Sequence, residues 1–220
     1  MKPVLVVTGT RREALVLGGE GIRVLCGGGD PAGLAGALAR EISDAAGIIS
    51  FGMAGALDPS LRIGDWVIGE EVVAERPIAC SSAWIAALAD ALPGARFGPV
   101  RGGDALVVRA TEKAALFAAT GALCADMESR VAAAAAAKAG LPLAVLRCIS
   151  DEAAEDLPPV IGVAMVPGGR LAPRAIVGSL CGKPGQIPAL LGTVVRFNRA
   201  YRALRRDAGR IGPRLAFPES

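Results

Sequence analysis

The chain has 220 residues, 24 Lys and Arg against 21 Asp and Glu, and no histidine. The missing imidazole excludes Ser-His-Asp and Cys-His triads and histidine-bound metals, so any proton chemistry falls to carboxylates, lysine, tyrosine or cysteine. A net charge of only +3, with 4% aromatics, excludes a nucleic-acid reader built on a basic field and stacking platforms. In chain order, Pro3–Thr8 is a β-branched run that reads as a strand, and Gly21–Cys26 is another, ending in Gly27-Gly28-Gly29. Leu34–Ile42 has helical spacing. Ala46–Phe51 is a continuous apolar run, as in a strand buried on both faces, and it leads into a tight turn at Gly52. Asp65–Val73 reads as a strand, Ala83–Leu92 as a helix, Ala105–Val108 as a short strand and Glu112–Ala119 as a helix. Ala122–Ala125 is a strand, Met127–Ala139 a helix and Leu143–Ile149 a strand. A Pro-containing loop at Leu157-Pro158-Pro159 then leads to helical segments at Pro173–Cys181 and about Gln186–Ala208. This alternation predicts an α/β fold, three layers (α/β/α) around a central mixed sheet, in a single domain over 1–220.

Cys26, Cys80, Cys124, Cys148 and Cys181 are scattered and odd in number, and they form no C-x-x-C, so neither a disulfide framework nor a zinc site is indicated. The apolar run after Lys2 is too short for a secretory signal, and no stretch is long enough to span a bilayer. A cytoplasmic protein is expected. In α/β sheets ligands bind at the carboxyl ends of strands, and the informative segments fall there. They are Gly9-Thr10-Arg11-Arg12-Glu13, Gly52-Met53-Ala54-Gly55, Asp126-Met127-Glu128-Ser129 and Ser150-Asp151.

Each segment also has a purely structural reading. Thr10-x-x-Glu13 is a capping box. Glu128 sits where an acid favours a helix start, and Ser150 and Asp151 suit a cap. Together and in order, however, a strand-loop acid, G-x-A-G-x-L…G-D, D-M-E-S and R-x-x-S-D resemble the purine nucleoside and uridine phosphorylase superfamily over about residues 3–151. The branch of methylthioadenosine/S-adenosylhomocysteine nucleosidases is similar. A closer resemblance is to the hopanoid-associated nucleoside phosphorylases. It rests on Ser50–Pro59, Thr120-Gly121-Ala122, Asp126–Ser129, Leu157-Pro158-Pro159, Ser179-Leu180 and Pro184–Leu190.

The resemblance implies removal of adenine from adenosylhopane, through an oxocarbenium-like ribose. It implies Asp151 as the acid that protonates purine N7, oriented by Ser150, and Glu128 as the ribose clamp, with Met127 packed on the sugar. Glu13 positions or deprotonates a water. Met53, Ala54, Gly55, Leu106, Val107 and Asp126 complete the substrate contacts. Leu106 stands in for a stacking Phe, and Met53 for a Ser common in the nucleosidases. No metal or organic cofactor is implied. Inorganic phosphate remains a candidate co-substrate, with Gly9, Arg11 and Arg12 as its candidate site, although the phosphorylases' loop arginine is missing; hydrolysis ranks ahead of phosphorolysis. A soluble thioether nucleosidase and a non-enzymatic nucleoside or lipid carrier stay open as alternatives.

The C-terminal segment crowds Arg196, Arg199, Arg202, Arg205, Arg206 and Arg210 beside an apolar stripe of Leu190, Leu191, Val194, Val195, Phe197, Tyr201 and Leu204. Such a helix either packs its stripe on protein or lies on an anionic membrane; packing ranks first, with peripheral membrane contact second. The expected partners are a small or lipid nucleoside and a second copy in a homodimer, with no nucleic acid.

Overall fold

The computed structural model describes residues 1–158, 165–166, 170–171 and 187–218. The strands are β1 (Val4–Thr8), β2 (Ile22–Cys26), β3 (Gly47–Ala56), β4 (Trp66–Val73), β5 (Ile78–Ala79), β6 (Arg96–Gly102), β7 (Cys124–Asp126), β8 (Leu143–Asp151), β9 (Met165–Val166) and β10 (Arg170–Leu171). The helices are α1 (Arg11–Ala14), α2 (Pro31–Glu41), α3 (Ser82–Ala91), α4 (Ala110–Thr120), α5 (Ser129–Ala139) and α6 (Ile187–Ala208).

β1, β3 and β8 are buried and mostly apolar, as strands covered on both faces must be, with the polar exceptions Thr8, Ser50, Arg147, Ser150 and Asp151. They pair in parallel, with β3 between β1 and β8. Past a register shift between Ala54 and Gly55, the far end of β3 also pairs with β7, antiparallel. The pairings β3–β8, β8–β4, β4–β6, β6–β7 and β7–β3 therefore close a ring of five strands. Side chains alternate between two cores. Leu5 and Val7 join Leu34 and Leu38 of α2 and Ala132, Ala133 and Ala136 of α5. Val4 and Val6 join Trp84 and Leu88 of α3 and Ala200 and Leu204 of α6. This is the expected mixed sheet with helices on both sides. The alanine run brings α5 close to the sheet because a methyl group is all that lies between them.

Three expected elements differ. Ala105–Val108 is irregular rather than a strand, and the strand lies just before it as β6. β6 reads Arg-Phe-Gly-Pro-Val-Arg-Gly, too rich in glycine and proline to declare itself, and its extended form is imposed by parallel pairing with β4 and β7. The chain does not turn at Gly52: β3 runs on to Ala56, with Gly52 at φ 153°. The helix expected from Met127 begins at Ser129, whose N donates to Asp126 Oδ1 at 2.7 Å. α6 begins within a residue of its expected start, and Pro173–Cys181 lies outside the described residues. The C-terminal half of α6 is anchored by Ala200, Leu204 and Asp207, whose Oδ2 accepts from Trp66 Nε1 at 3.0 Å. Packing is thus what this half does. No helix among the described residues is long and apolar enough to cross a membrane.

Candidate active site

Three carboxylates lie at or just past the carboxyl ends of β1, β7 and β8, and each presses on a glycine. A Cβ on Gly52 would lie 2.6 Å from Glu13 Oε1, one on Gly9 3.1 Å from Glu128 Oε2, and one on Gly55 2.9 Å from Asp151 Oδ2. Gly27 touches Glu128 as well, with a Cβ position 3.0 Å from its Cγ. The glycine-rich segments are there because acids approach the backbone at those points. Gly27-Gly28-Gly29 closes on β1: Gly27 N donates to Thr8 O at 2.7 Å and Gly28 N to Gly9 O at 2.9 Å.

Glu13 lies on α1 and forms the expected capping box. Its Oε2 accepts from Thr10 N at 2.6 Å, and Thr10 Oγ1 accepts from Glu13 N at 3.2 Å. Capping does not exhaust it, since Oε1 accepts from Met53 N at 2.7 Å, forty residues away on β3. Burial raises its pKa above the ordinary carboxylate value, against the Met53 amide and the Arg147 charge. Glu128 immediately precedes α5. Burial pushes its carboxyl up to about 7; Arg147 opposes the rise, and Asp126 and Glu13 add to it. Two acids that sense each other in a dry site cannot both ionise freely.

Asp151 ends β8. Its Oδ1 accepts from Ser150 Oγ at 2.8 Å, the orienting contact the sequence suggested, and Ser150 Oγ also reaches Ala54 O at 3.2 Å. Its Oδ2 meets Lys113 Nζ at 2.6 Å in a buried ion pair. Lys113 also donates to Glu152 O at 2.9 Å and Glu155 O at 3.1 Å, which ties the segment after β8 to α4. Asp156 continues that tie by accepting from Ala110 N at 2.6 Å, at the start of α4.

Sequence reasoning missed Lys113, because a lysine on an exposed-looking helix reads as a solvated charge. It also missed Arg147 as a site residue, although R-x-x-S-D contains it. Arg147 is fully buried on β8. Its guanidinium lies 3.0 Å from Asp126 Oδ2 through Nε and donates from Nη2 to Ser50 Oγ and Ser129 Oγ. Burial works against its charge, but Asp126, Glu128 and Glu13 outweigh that and keep its pKa above the usual value.

Other expectations change. Asp126, expected among the substrate contacts, turns its carboxylate onto the start of α5. Its Oδ1 accepts from Glu128 N at 2.8 Å and Ser129 N at 2.7 Å, while Oδ2 accepts from Ser129 Oγ at 2.6 Å and faces Arg147. It positions Glu128 and Arg147. Arg12, a candidate for phosphate, lies 4.2 Å over the Tyr201 ring, and its carbonyl accepts from Tyr201 Oη at 3.2 Å. Arg11 is exposed, whereas Gly9 is buried against Glu128. Met53 and Ala54 are buried on β3 beside Glu13 and Ser150. Gly55 is at Asp151, and Met127 is half-buried between Asp126 and Glu128. Leu106 and Val107 lie on the irregular segment before α4, with Leu106 38% exposed. A separate cleft of about 690 Å³ between α2 and α5, lined by Ala35, Ala39, Val131 and Ala135, contains none of these acids. Among the described residues no group of three or more His, Cys, Asp or Glu could hold a metal ion.

The family model described as the phosphorylase superfamily matches residues 5–161. Futalosine hydrolase of Helicobacter pylori strain 26695 has a similar structure, with TM-score 0.67 at 15% identity over 96% of this chain and 97% of that one. S-adenosylhomocysteine nucleosidase from Streptococcus pyogenes, in complex with 5-methylthiotubericidin, gives 0.66 at 18% over 96% and 94%. The 5′-methylthioadenosine/S-adenosylhomocysteine nucleosidase from S. pneumoniae, with a transition-state inhibitor, gives 0.65 at 17% over 97% of both chains. At these identities the likeness is one of fold. No curated protein matches the chain at a significant level.

Proposed function

The chain belongs to the phosphorylase superfamily, and we propose that within it the protein is a purine nucleosidase acting on adenosylhopane. The observation that supports the reading is the placement of Glu13, Glu128 and Asp151 at or just past the carboxyl ends of β1, β7 and β8, each against a glycine. Each acid has a separate task. Asp151, held by Ser150, passes to adenine N7 a proton drawn from the Lys113 ammonium paired with it, so the C1′–N9 bond breaks with its electron pair going to the purine and Lys113 is left neutral. Glu128, ionised, accepts from the two ribose hydroxyls. Glu13 takes a proton from the water whose oxygen bonds to C1′, with Arg147 supplying positive charge beneath both glutamates. Proton transfer by placed groups is worth about 10²–10⁴-fold, and none of these steps needs imidazole.

Hydrolysis is favoured over phosphorolysis because Arg12 is engaged by Tyr201 and Arg11 points to solvent. The structural neighbours named as a hydrolase and as nucleosidases agree with that choice. The hopane tail rests on the sequence resemblance alone. On this reading the partners are a lipid nucleoside, a second copy in a homodimer and a membrane met peripherally. Sedimentation velocity checks the dimer. The deciding experiment measures adenine release from adenosylhopane, methylthioadenosine and S-adenosylhomocysteine, each with and without inorganic phosphate. Phosphate-independent release, fastest from adenosylhopane, is expected. Faster turnover of the thioethers replaces the substrate, a phosphate requirement replaces the nucleophile, and no release from any of them overturns the reading.

A further inference from the structure

We propose that the outward face of α6 is a docking surface for an anionic phospholipid bilayer. Along that face the chemistry changes once. In the first turns it is apolar: Leu191, Val194 and Val195 are 62%, 47% and 69% exposed. In the later turns the same face carries Arg199, Arg202, Arg205 and Arg206, all exposed. The opposite face holds Ala200, Ala203, Leu204 and Asp207 against the body. A helix whose packed side is already satisfied needs no further apolar face for folding. An apolar patch continuous with a row of arginines matches the layering of a bilayer surface, acyl chains beside anionic headgroups.

The arginines are placed for external anions. Arg206 is paired with Asp207 through Nε and Nη2 at 2.8 and 2.6 Å. Arg199, Arg202 and Arg205 have no acidic partner among the described residues. Arg199, Arg202 and Arg206 line a surface cavity of about 480 Å³ with Ile63, Gly64 and Asp65. Asp65 is the acid at that cavity, and its Oδ2 accepts from Arg62 N at 2.8 Å. A second copy of this chain is the poorer occupant, since a two-fold contact would set one copy's arginines against the same patch on the other.

The location deepens the proposed function and rests on it only for the identity of the substrate. Arg196, in the apolar half of α6, pairs with Glu155 at 3.1 Å, and Glu155 O accepts from the Lys113 that holds Asp151. Tyr201, a turn and a half further, reaches Arg12 beside Glu13. The proposed bilayer face therefore lies on the helix that flanks both ends of the acid cluster, where a tailed nucleoside leaving the lipid would arrive.

The test is flotation of the full chain with phosphatidylcholine vesicles, with and without phosphatidylglycerol. Binding is expected only with phosphatidylglycerol and is expected to weaken with salt, because the surface potential decays within a Debye length. Replacing Arg199, Arg202 and Arg205 together by Gln should lower partitioning roughly a hundredfold, at about fivefold per basic residue near an anionic surface. Val195→Asp should lower it too, and Arg40→Gln on α2 should not. Equal binding to neutral vesicles, an unaffected triple variant, or full competition by millimolar inorganic phosphate overturns the proposal, the last by making this a free-anion site. A Val195→Asp variant that instead becomes monomeric, with flotation intact, overturns it in favour of a second copy. Adenine release from a soluble nucleoside is followed in the same variants and should not change. Loss of that activity in the unmodified chain sinks the catalytic reading and leaves the flotation result standing.

Discussion

Arginine is used in two opposite ways in this molecule. Arg147 is fully buried, with Asp126, Ser50 and Ser129 around its guanidinium and two glutamates within electrostatic reach. Arg199, Arg202 and Arg205 stand in water on α6. A buried charge cannot leave its partners without exposing them to a dry environment, so it fixes geometry. An exposed charge is free to exchange water and salt for a ligand, so it makes contacts and does little for the fold. The same residue type is thus a structural and catalytic element at one edge of the sheet and an interaction element on the outer helix.

The largest effect is expected at the buried end. Arg147→Met leaves Asp126 unpaired and removes the positive charge beside Glu13 and Glu128, which costs about 3–5 kcal/mol of stability. Chemical denaturation of the variant checks it, and a loss under about 1 kcal/mol would put Arg147 in the same class as the α6 arginines. Asp151→Asn keeps the shape of the site and is expected to lower kcat about 10²–10⁴-fold with nucleoside affinity nearly unchanged. Single-turnover rates and inhibitor binding separate the two, and equal losses in both would assign Asp151 to binding.

The two regions were unequally legible in the sequence. The acids were readable because each follows a strand within a short local pattern, and the capping box of Thr10 and Glu13 appears as written. Burial of Lys113 was not readable, since it depends on carbonyls forty residues away that close around the helix start. The ion pair of Asp126 is illegible for a related reason: D-M-E-S shows an acid after a strand, but only the folded chain shows Arg147 against it. Gly52 looked like the end of a strand. It is a point inside one where the backbone opens to admit Glu13. On α6 only the later members of the expected stripe pack: Leu204 is buried and Phe197 and Tyr201 partly so, whereas Leu191, Val194 and Val195 are exposed, because periodicity alone does not say which turns meet the body.

A middle-sized effect distinguishes the buried acids from ordinary carboxylates. Glu128 has its pKa pushed from 4.5 up to about 7 by burial. The native state therefore holds this proton over a pH range in which the unfolded chain has released it, and stability falls as pH rises from about 4.5 to 7. The full loss is about 3 kcal/mol, at roughly 1.4 kcal/mol per pKa unit. Glu128→Gln should raise the melting temperature relative to the unmodified chain at pH 8 and much less at pH 5. Equal shifts at both pH values would trace the effect to packing. The same titration predicts that KM falls as pH rises through about 7, because the ribose hydroxyls need the ionised carboxylate.

The smallest effect belongs to the exposed region. Arg202→Ala removes a charge without an acidic partner among the described residues, and the side chain lies in water. Its removal relieves repulsion from Arg199 and Arg205, three residues away on either side, and such like-charge neighbours on a helix cost only a few tenths of a kcal/mol. The variant should therefore match or slightly exceed the parent in stability, within about 0.5 kcal/mol. The difference should vanish in high salt, where neighbouring surface charges are screened. Denaturation at low and high ionic strength measures it. A loss of several kcal/mol that salt leaves unchanged would mean that Arg202 is buried by something in the folded protein, and the contrast with Arg147 would fail at its weaker end.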